Sequence, residues 1–406
     1  MKLSRIAFRN VGRNKRRSIL SGIAIGVAAM AIVILFSLLS GMQADLASNL
    51  QDFYSGMVRV RHAEYTANEM LSPLHLRVGD LDERLATLDS LPEVESVAPR
   101  IRFPASIYLE GETFSAQGLG VDIEREVRYS QLDAYLVSGV AADTGSKEAM
   151  IGNALADRLG VEVGDSITVL TVTMTRGSNA MTFIVSGIVQ LPVDALNSNT
   201  VLVPIATARD LLRMDNSATE VLVKLTRERE SAAVAQRLRA MWDADLSIES
   251  WRDIPSAYTF IEWARNIYNG MAVFFFLLGS TVIITTTMIV IFERMREIGT
   301  IAAMGMTGKE IVRLFFLESL FIAMIAAAVG VLLGSGISLA LGVVGIDMAD
   351  AMEGIDIEIG SSIFPQWSLP TAIFVYFYSV IITGLAAFFP ARRAAKVEPV
   401  EALHTV

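Results

Sequence analysis

SILSGIAIGVAAMAIVILFSLLSGMQA, residues Ser18–Ala44, contains no Asp, Glu, Lys or Arg in 27 positions. About 20 apolar residues suffice for a helix to cross the hydrocarbon core of a bilayer. The stretch therefore predicts a membrane span rather than a core helix. Three more uncharged stretches follow, Asn266–Phe292, Ser319–Ile346 and Ile359–Ala391, and residues 45–265, of ordinary polarity, separate the first from the second. The pattern predicts an α-helical membrane protein with four transmembrane helices and a large α+β extracytoplasmic domain between helices 1 and 2. At 52% hydrophobic residues and a mean hydropathy of +0.47, the composition points the same way.

Charge distribution orients the spans. Residues 1–17 carry seven Lys/Arg and no acid, whereas 45–265 carry 20 Lys/Arg against 32 Asp/Glu. The loop 293–318 is balanced, and Asp347, Asp350, Glu353, Asp356 and Glu358 stand without a base. The positive-inside rule then puts both termini in the cytoplasm and residues 41–266 outside a cell inner (plasma) membrane. The apolar run Ile19–Leu39 exceeds the roughly 7–15 residues of a signal-peptide core, so an uncleaved anchor is expected.

The chain divides accordingly. A cytoplasmic basic amphipathic helix occupies 1–17, with Lys2, Arg5, Arg9, Arg13 and Arg16 on one helical stripe suited to anionic headgroups. Spans are expected at 18–40, 267–292, 314–343 and 369–390. Between them lie the outer domain (41–266), a cytoplasmic elbow (293–313) and an acidic outer loop (344–368), with a cytoplasmic tail at 391–406. The apolar pattern continues past the first span and begins before the second, predicting helical stalks. Within the outer domain, strand and helix patterns predict an α+β subdomain at about 56–112 and 220–250, interrupted by a β-rich subdomain at about 113–219. The segment Leu191–Thr200, with Pro192 and Asn197, reads as a polar projecting loop and a candidate contact for cargo or a partner.

Small residues one turn apart, Gly22 and Gly26 in the first span and Gly330 and Gly334 in the third, predict a close helix–helix interface, within the chain or between subunits. The elbow reads as a short helix with Ile298, Ile301 and Ala302 on one face, ended by Gly305 in the left-handed conformation. Thr307-x-x-Glu310 is a capping box that opens the next helix. Gly308-Lys309 is not a phosphate-binding loop, because the spacing fails and Glu310 stands where Ser or Thr is needed. With no cysteine, and with His62, His75 and His404 scattered, no catalytic, metal or cofactor residue is assigned. Energy input must come from another polypeptide, and no nucleic-acid partner is expected.

Three regions resemble the permeases of the MacB/FtsX/LolC-LolE superfamily, the membrane subunits of type VII ABC transporters. They are "AFRNVGRNKRR" (Ala7–Arg17), the elbow with Glu297-Ile298-Gly299 and Ala303-Met304-Gly305-Met306-Thr307, and the tail "PARRAAKVEPVEAL" (Pro390–Leu403). The resemblance implies a MacB-like periplasmic core domain and a separate cytoplasmic ABC ATPase, which would hold the ATP and Mg. That ATPase would dock on Glu293, Arg296, Glu297, Ile298, Gly299, Ala303, Met304, Gly305 and Thr307. It also implies a second permease subunit, as homodimer or paralogue heterodimer, and coupling by mechanotransmission. The chain lacks a fused ATPase domain, and its architecture is similar to the lipoprotein-releasing branch. Release of lipoproteins, with a lipoprotein or periplasmic carrier as partner, is therefore the leading expectation. Export of peptides, antibiotics or lipids, or FtsX-like regulation of an outer-face hydrolase, are the alternatives.

Overall fold

The computed structural model describes residues 2–13, 15–347 and 362–394. Most of the acidic loop (Asp350, Glu353, Asp356, Glu358) and the tail from 395, with Lys396, lie outside them. Helix α1 spans Lys2–Arg13 and α2 spans Lys15–Leu50. At 1.5 Å per residue the 36-residue α2 is roughly 54 Å long, well beyond the ~30 Å hydrocarbon core. A five-residue π-type turn, Gln51–Ser55, closes it at Gly56, whose φ of 63° suits a residue without a β-carbon.

The chain forms two units, one of residues up to Ala44 and from Ala264, the other containing Asp45–Trp263. In the second unit the elements run β1 (Val58–His62), α3 (Leu81–Asp89), β2 (Val94–Leu109), β3 (Glu112–Val121), α4 (Ile123–Ser130), β4 (Leu136–Gly139), β5 (Glu148–Gly152) and α5 (Asn153–Leu159). They continue with β6 (Ser166–Val172), β7 (Ser178–Val189), α6 (Asp194–Asn199), β8 (Thr200–Pro204), α7 (Ile205–Leu212), β9 (Glu220–Leu225), α8 (Ser231–Met241) and β10 (Leu246–Ser250). The strand path is β10-β1-β9-β2-β3-β8-β5-β7-β4, with β6 bridging β2 and β7. That bridge closes β2, β3, β8, β5, β7 and β6 into a barrel, and β10, β1 and β9 extend from it as an open sheet.

Strand periodicity explains the two faces of that open sheet. Val58 and Val60 on β1, Ile101 and Phe103 on β2, and Val221 and Val223 on β9 enter one apolar core. Their neighbours Arg59, Arg61, Arg100, Arg102 and Glu220 alternate to the other face and are nevertheless buried. The 16-residue β2 belongs to both halves. Its first part pairs with β9, and its second lies between β3 and β6. The expected division at 112/113 consequently falls in the β2–β3 hairpin, and residues from both expected subdomains share one core. A strand at Glu148–Gly152, unexpected from sequence, lines that barrel ahead of α5, which ends at Gly160 in the left-handed region.

The first unit continues with α9 (Pro255–Phe292), α10 (Met295–Ala303), α11 (Gly308–Val344), the two-residue strands β11 (Ile346–Asp347) and β12 (Ser362–Ile363), and α12 (Leu369–Ala394). Among the described residues, four helices are long and apolar enough to cross a membrane: Ser18–Ser55, Tyr258–Phe292, Gly308–Val344 and Leu369–Arg393. Ala29, Ile32 and Val33 of α2 pack with Val331 of α11 and with Ala372 and Val375 of α12.

Candidate functional site

The elbow between α9 and α11 is built from local chemistry. Ile298 is buried, and it packs with Ile291, Ile311, Phe315, Ala387 and Ala391, so the inner face of α10 is seated on α9, α11 and α12. Gly299 is buried as well. At the far end of α10 the Gly305 N–H donates to the Ala302 carbonyl (3.0 Å), and the Met306 N–H reaches back to Ile301 (3.4 Å). This crossed pair is a Schellman closure, and it requires the left-handed φ of 95° found at Gly305. Met306 and Ile301 both pack against the apolar cluster, which supplies the hydrophobic contact that accompanies such a cap.

Thr307 then opens α11. Its backbone N–H and hydroxyl both reach the Glu310 carboxylate, at 3.0 and 2.7 Å. The capping box is complete. Across the elbow, Glu293, Glu297, Ala303, Met304, Gly305 and Thr307 are exposed, Met304 at 75%. For Arg296 the backbone alone is described, within α10. The result is a helix closed at its C-terminal end, with an apolar inner face, an exposed Glu297 on its outer face and a protruding Met304 at its end.

One pair in this region carried no sequence signal. Arg294 is buried and pairs with Glu318 of α11, its guanidinium lying 5.8 Å from the Phe315 ring. Isolated buried charges are expensive, whereas a pair tolerates burial. This contact ties the start of the elbow to α11.

The small-residue positions are used inside the chain. A β-carbon on Gly330 would stand 2.1 Å from the Gly26 carbonyl oxygen, and one on Gly334 would stand 2.9 Å from that of Met30. On Gly26 it would meet the Ala326 carbonyl at 3.2 Å, while on Gly22 it would make an ordinary 3.7 Å contact with Ala326. α2 and α11 approach backbone to backbone, as small residues allow.

The projecting loop at 191–200 is a correction. Leu191, Val193 and Leu196 are buried in an apolar cluster, Pro192 is half-buried, and residues 194–199 form α6. Asn197 is 4% exposed, and its side-chain amide both accepts from and donates to the backbone of Leu191, at 2.7 and 2.8 Å. Its polarity is spent internally, so the segment packs instead of projecting.

The family model of the MacB-like periplasmic core domain matches residues 19–241, and that of the FtsX-like permease C-terminal region matches 269–399. Among curated proteins, a lipoprotein-releasing system transmembrane protein LolC from Xylella fastidiosa is 23% identical, over 94% of this chain and 92% of its own length. A macrolide export ATP-binding/permease protein MacB from Vibrio parahaemolyticus is also 23% identical, over 94% of this chain but 56% of its own length. An uncharacterised ABC transporter permease from Methanocaldococcus jannaschii is 22% identical over 98% of this chain and 96% of its own length.

Proposed function

Because the chain belongs to the MacB/FtsX/LolC family of ABC transporter permeases, we propose that it couples ATP hydrolysis by a separate cytoplasmic ATPase to rearrangement of its outer domain, and that this rearrangement releases lipoproteins from the inner membrane. In this reading the termini and elbow face the cytoplasm, residues 41–266 face outward, and a second permease subunit completes the transporter. The chain contributes no catalytic residue; ATP and Mg sit in the partner. The observation that carries the reading is the seated elbow helix, closed at its C-terminal end by Gly305 and followed at once by the capping box that opens α11. Its Ile298 face is locked onto three other helices while Glu297, Met304 and Gly305 are offered to solvent. A push on that outer face is delivered to packed helices rather than absorbed by a loop, and packed elements shift between discrete arrangements.

Relatives named for lipoprotein release, LolC of Xylella fastidiosa among them, support lipoprotein as cargo. Depletion of the protein tests this directly. Outer-membrane lipoproteins are expected to accumulate at the inner membrane. Normal sorting would turn the assignment to export of peptides, antibiotics or lipids, or to regulation of an outer-face hydrolase.

A further inference from the structure

The outer domain buries four arginines on two strands that flank β9. Arg61 of β1 and Arg100 of β2 are both register partners of Glu220, one from each side. Glu220 accepts from Arg61 Nε (2.9 Å) and Nη2 (2.5 Å) and from Arg102 Nε (2.6 Å). Arg100 holds Glu126 of α4 with two bonds, at 3.1 and 2.5 Å. These side chains are 1–10% exposed.

Further donors of Arg100 and Arg102 are aimed at main chain. Arg100 donates to the carbonyls of Phe53 (3.1 Å) and Asp52 (2.7 Å), and Arg102 donates to Phe53 (2.8 Å). Lys224 of β9 reaches the Asp52 carboxylate at 2.9 Å, and the Tyr129 hydroxyl donates to the Gln51 carbonyl at 3.3 Å. All of these acceptors lie in the Gln51–Ser55 turn that ends α2. The last carbonyls of a helix have no partner within it, and cations suit its negative end.

Burying such a network is a poor way to gain stability, because well-packed apolar residues of the same volume do as well or better. What a planar five-donor fork supplies is a fixed direction. Here two forks fix the end of a 36-residue helix to β2, the strand shared by the open sheet and the barrel.

We propose that Arg100 and Arg102 form the joint through which displacement along α2 is delivered to the outer domain, acting as positioning residues for coupling. The inference rests on the ATPase-coupled reading above. Without the joint, the helix end slips against the sheet and a push is lost as local bending.

The chain contains no cysteine, so Val137→Cys on β4 and Val344→Cys at the end of α11, 60% and 79% exposed, accept spin labels without background. The labelled full chain is assembled with its ATPase in lipid nanodiscs, and the inter-label distance is measured without nucleotide and with Mg·ATP trapped by vanadate. The parent is expected to shift its distance distribution on trapping. Arg102→Lys, which keeps the charge beside Glu220 but loses the fork on Phe53, should reduce that shift by about fivefold, within the range for substitutions along a coupling element. ATP hydrolysis and the thermal midpoint should stay near the parent's.

Lys224→Gln, at the rim of the same turn, should reduce the shift in the same direction and carries the test should Arg102→Lys fail to fold. An undiminished shift in the folded variants overturns the joint while leaving the ATPase-coupled reading intact. A parent that does not shift overturns that reading and the joint together.

Discussion

The spans and the outer domain solve close packing in opposite ways. Where α2 meets α11, contact is made by residues with no side chain, and Gly26 and Gly330 touch through backbone atoms. Where the end of α2 meets β2, contact is made by two arginines, among the largest side chains available, reaching main-chain carbonyls from the sheet. The difference follows from the surroundings. Lipid gives helices no hydrophobic incentive to associate, so they gain by bringing backbones together. Inside a water-bathed domain, charge can be buried if every donor finds an acceptor, and the gain is orientation.

The comparison can be broken first at Glu220. Burial opposes its charge, but Arg102, Arg61 and Arg100 outweigh burial and hold the carboxyl well below the usual carboxylate range. Glu220→Gln removes the buried carboxylate that Arg61 and Arg102 share and should destabilise the fold by about 3–5 kcal/mol, read by urea unfolding followed through Trp242 and Trp251. The pH dependence has a definite sign. A carboxylate with a lowered folded pKa contributes fully above its unfolded value of about 4.3, and the contribution falls away as pH drops below it. The parent should therefore lose stability on acidification below that point, and Glu220→Gln should lose less. Tyr65, pushed up to about 12 by burial and by Glu220, stays neutral throughout this window.

Second in size is Gly330→Leu. With a β-carbon 2.1 Å from the Gly26 oxygen, α2 and α11 must separate, at a cost of about 1–3 kcal/mol for overpacking. Protease resistance of the solubilised chain would report the loss. Gly305→Ala comes next, since a left-handed φ of 95° costs an L-residue about 1–2 kcal/mol. Its expected readout is weaker co-purification of the ATPase without loss of the folded chain. Gly22→Ala sharpens the comparison by contrast. Its neighbour lies at an ordinary 3.7 Å, so stability should change by less than about 0.5 kcal/mol, although the two glycines belong to one motif.

Legibility in the sequence followed how local each signal was. The spans were written in missing charges, and the elbow in Thr307, Glu310 and Gly305, all within a few residues of the geometry they set. The sequence also reads as a strand at Glu220–Leu225 and a helix at Arg229–Met241, and β9 and α8 lie at Glu220–Leu225 and Ser231–Met241. Asn197 misled because its amide bonds Leu191 six residues away, a closure that a polar stretch does not advertise. The arginine joint was hidden differently. The alternations Arg59-x-Arg61 and Arg100-x-Arg102 carry no local signal of it, since Glu220, which pairs with Arg61 and Arg102, lies more than a hundred residues from either. Arg294 carries no local signal either, since its partner Glu318 is 24 positions on.

The central claim is that the elbow meets an ATPase on the cytoplasmic side. Met304, 75% exposed, can be made the chain's sole thiol as Met304→Cys. In intact cells it should resist a membrane-impermeant maleimide, react with a permeant one, and cross-link to an ABC ATPase. Modification by the impermeant reagent from outside, with no such cross-link, would contradict the account.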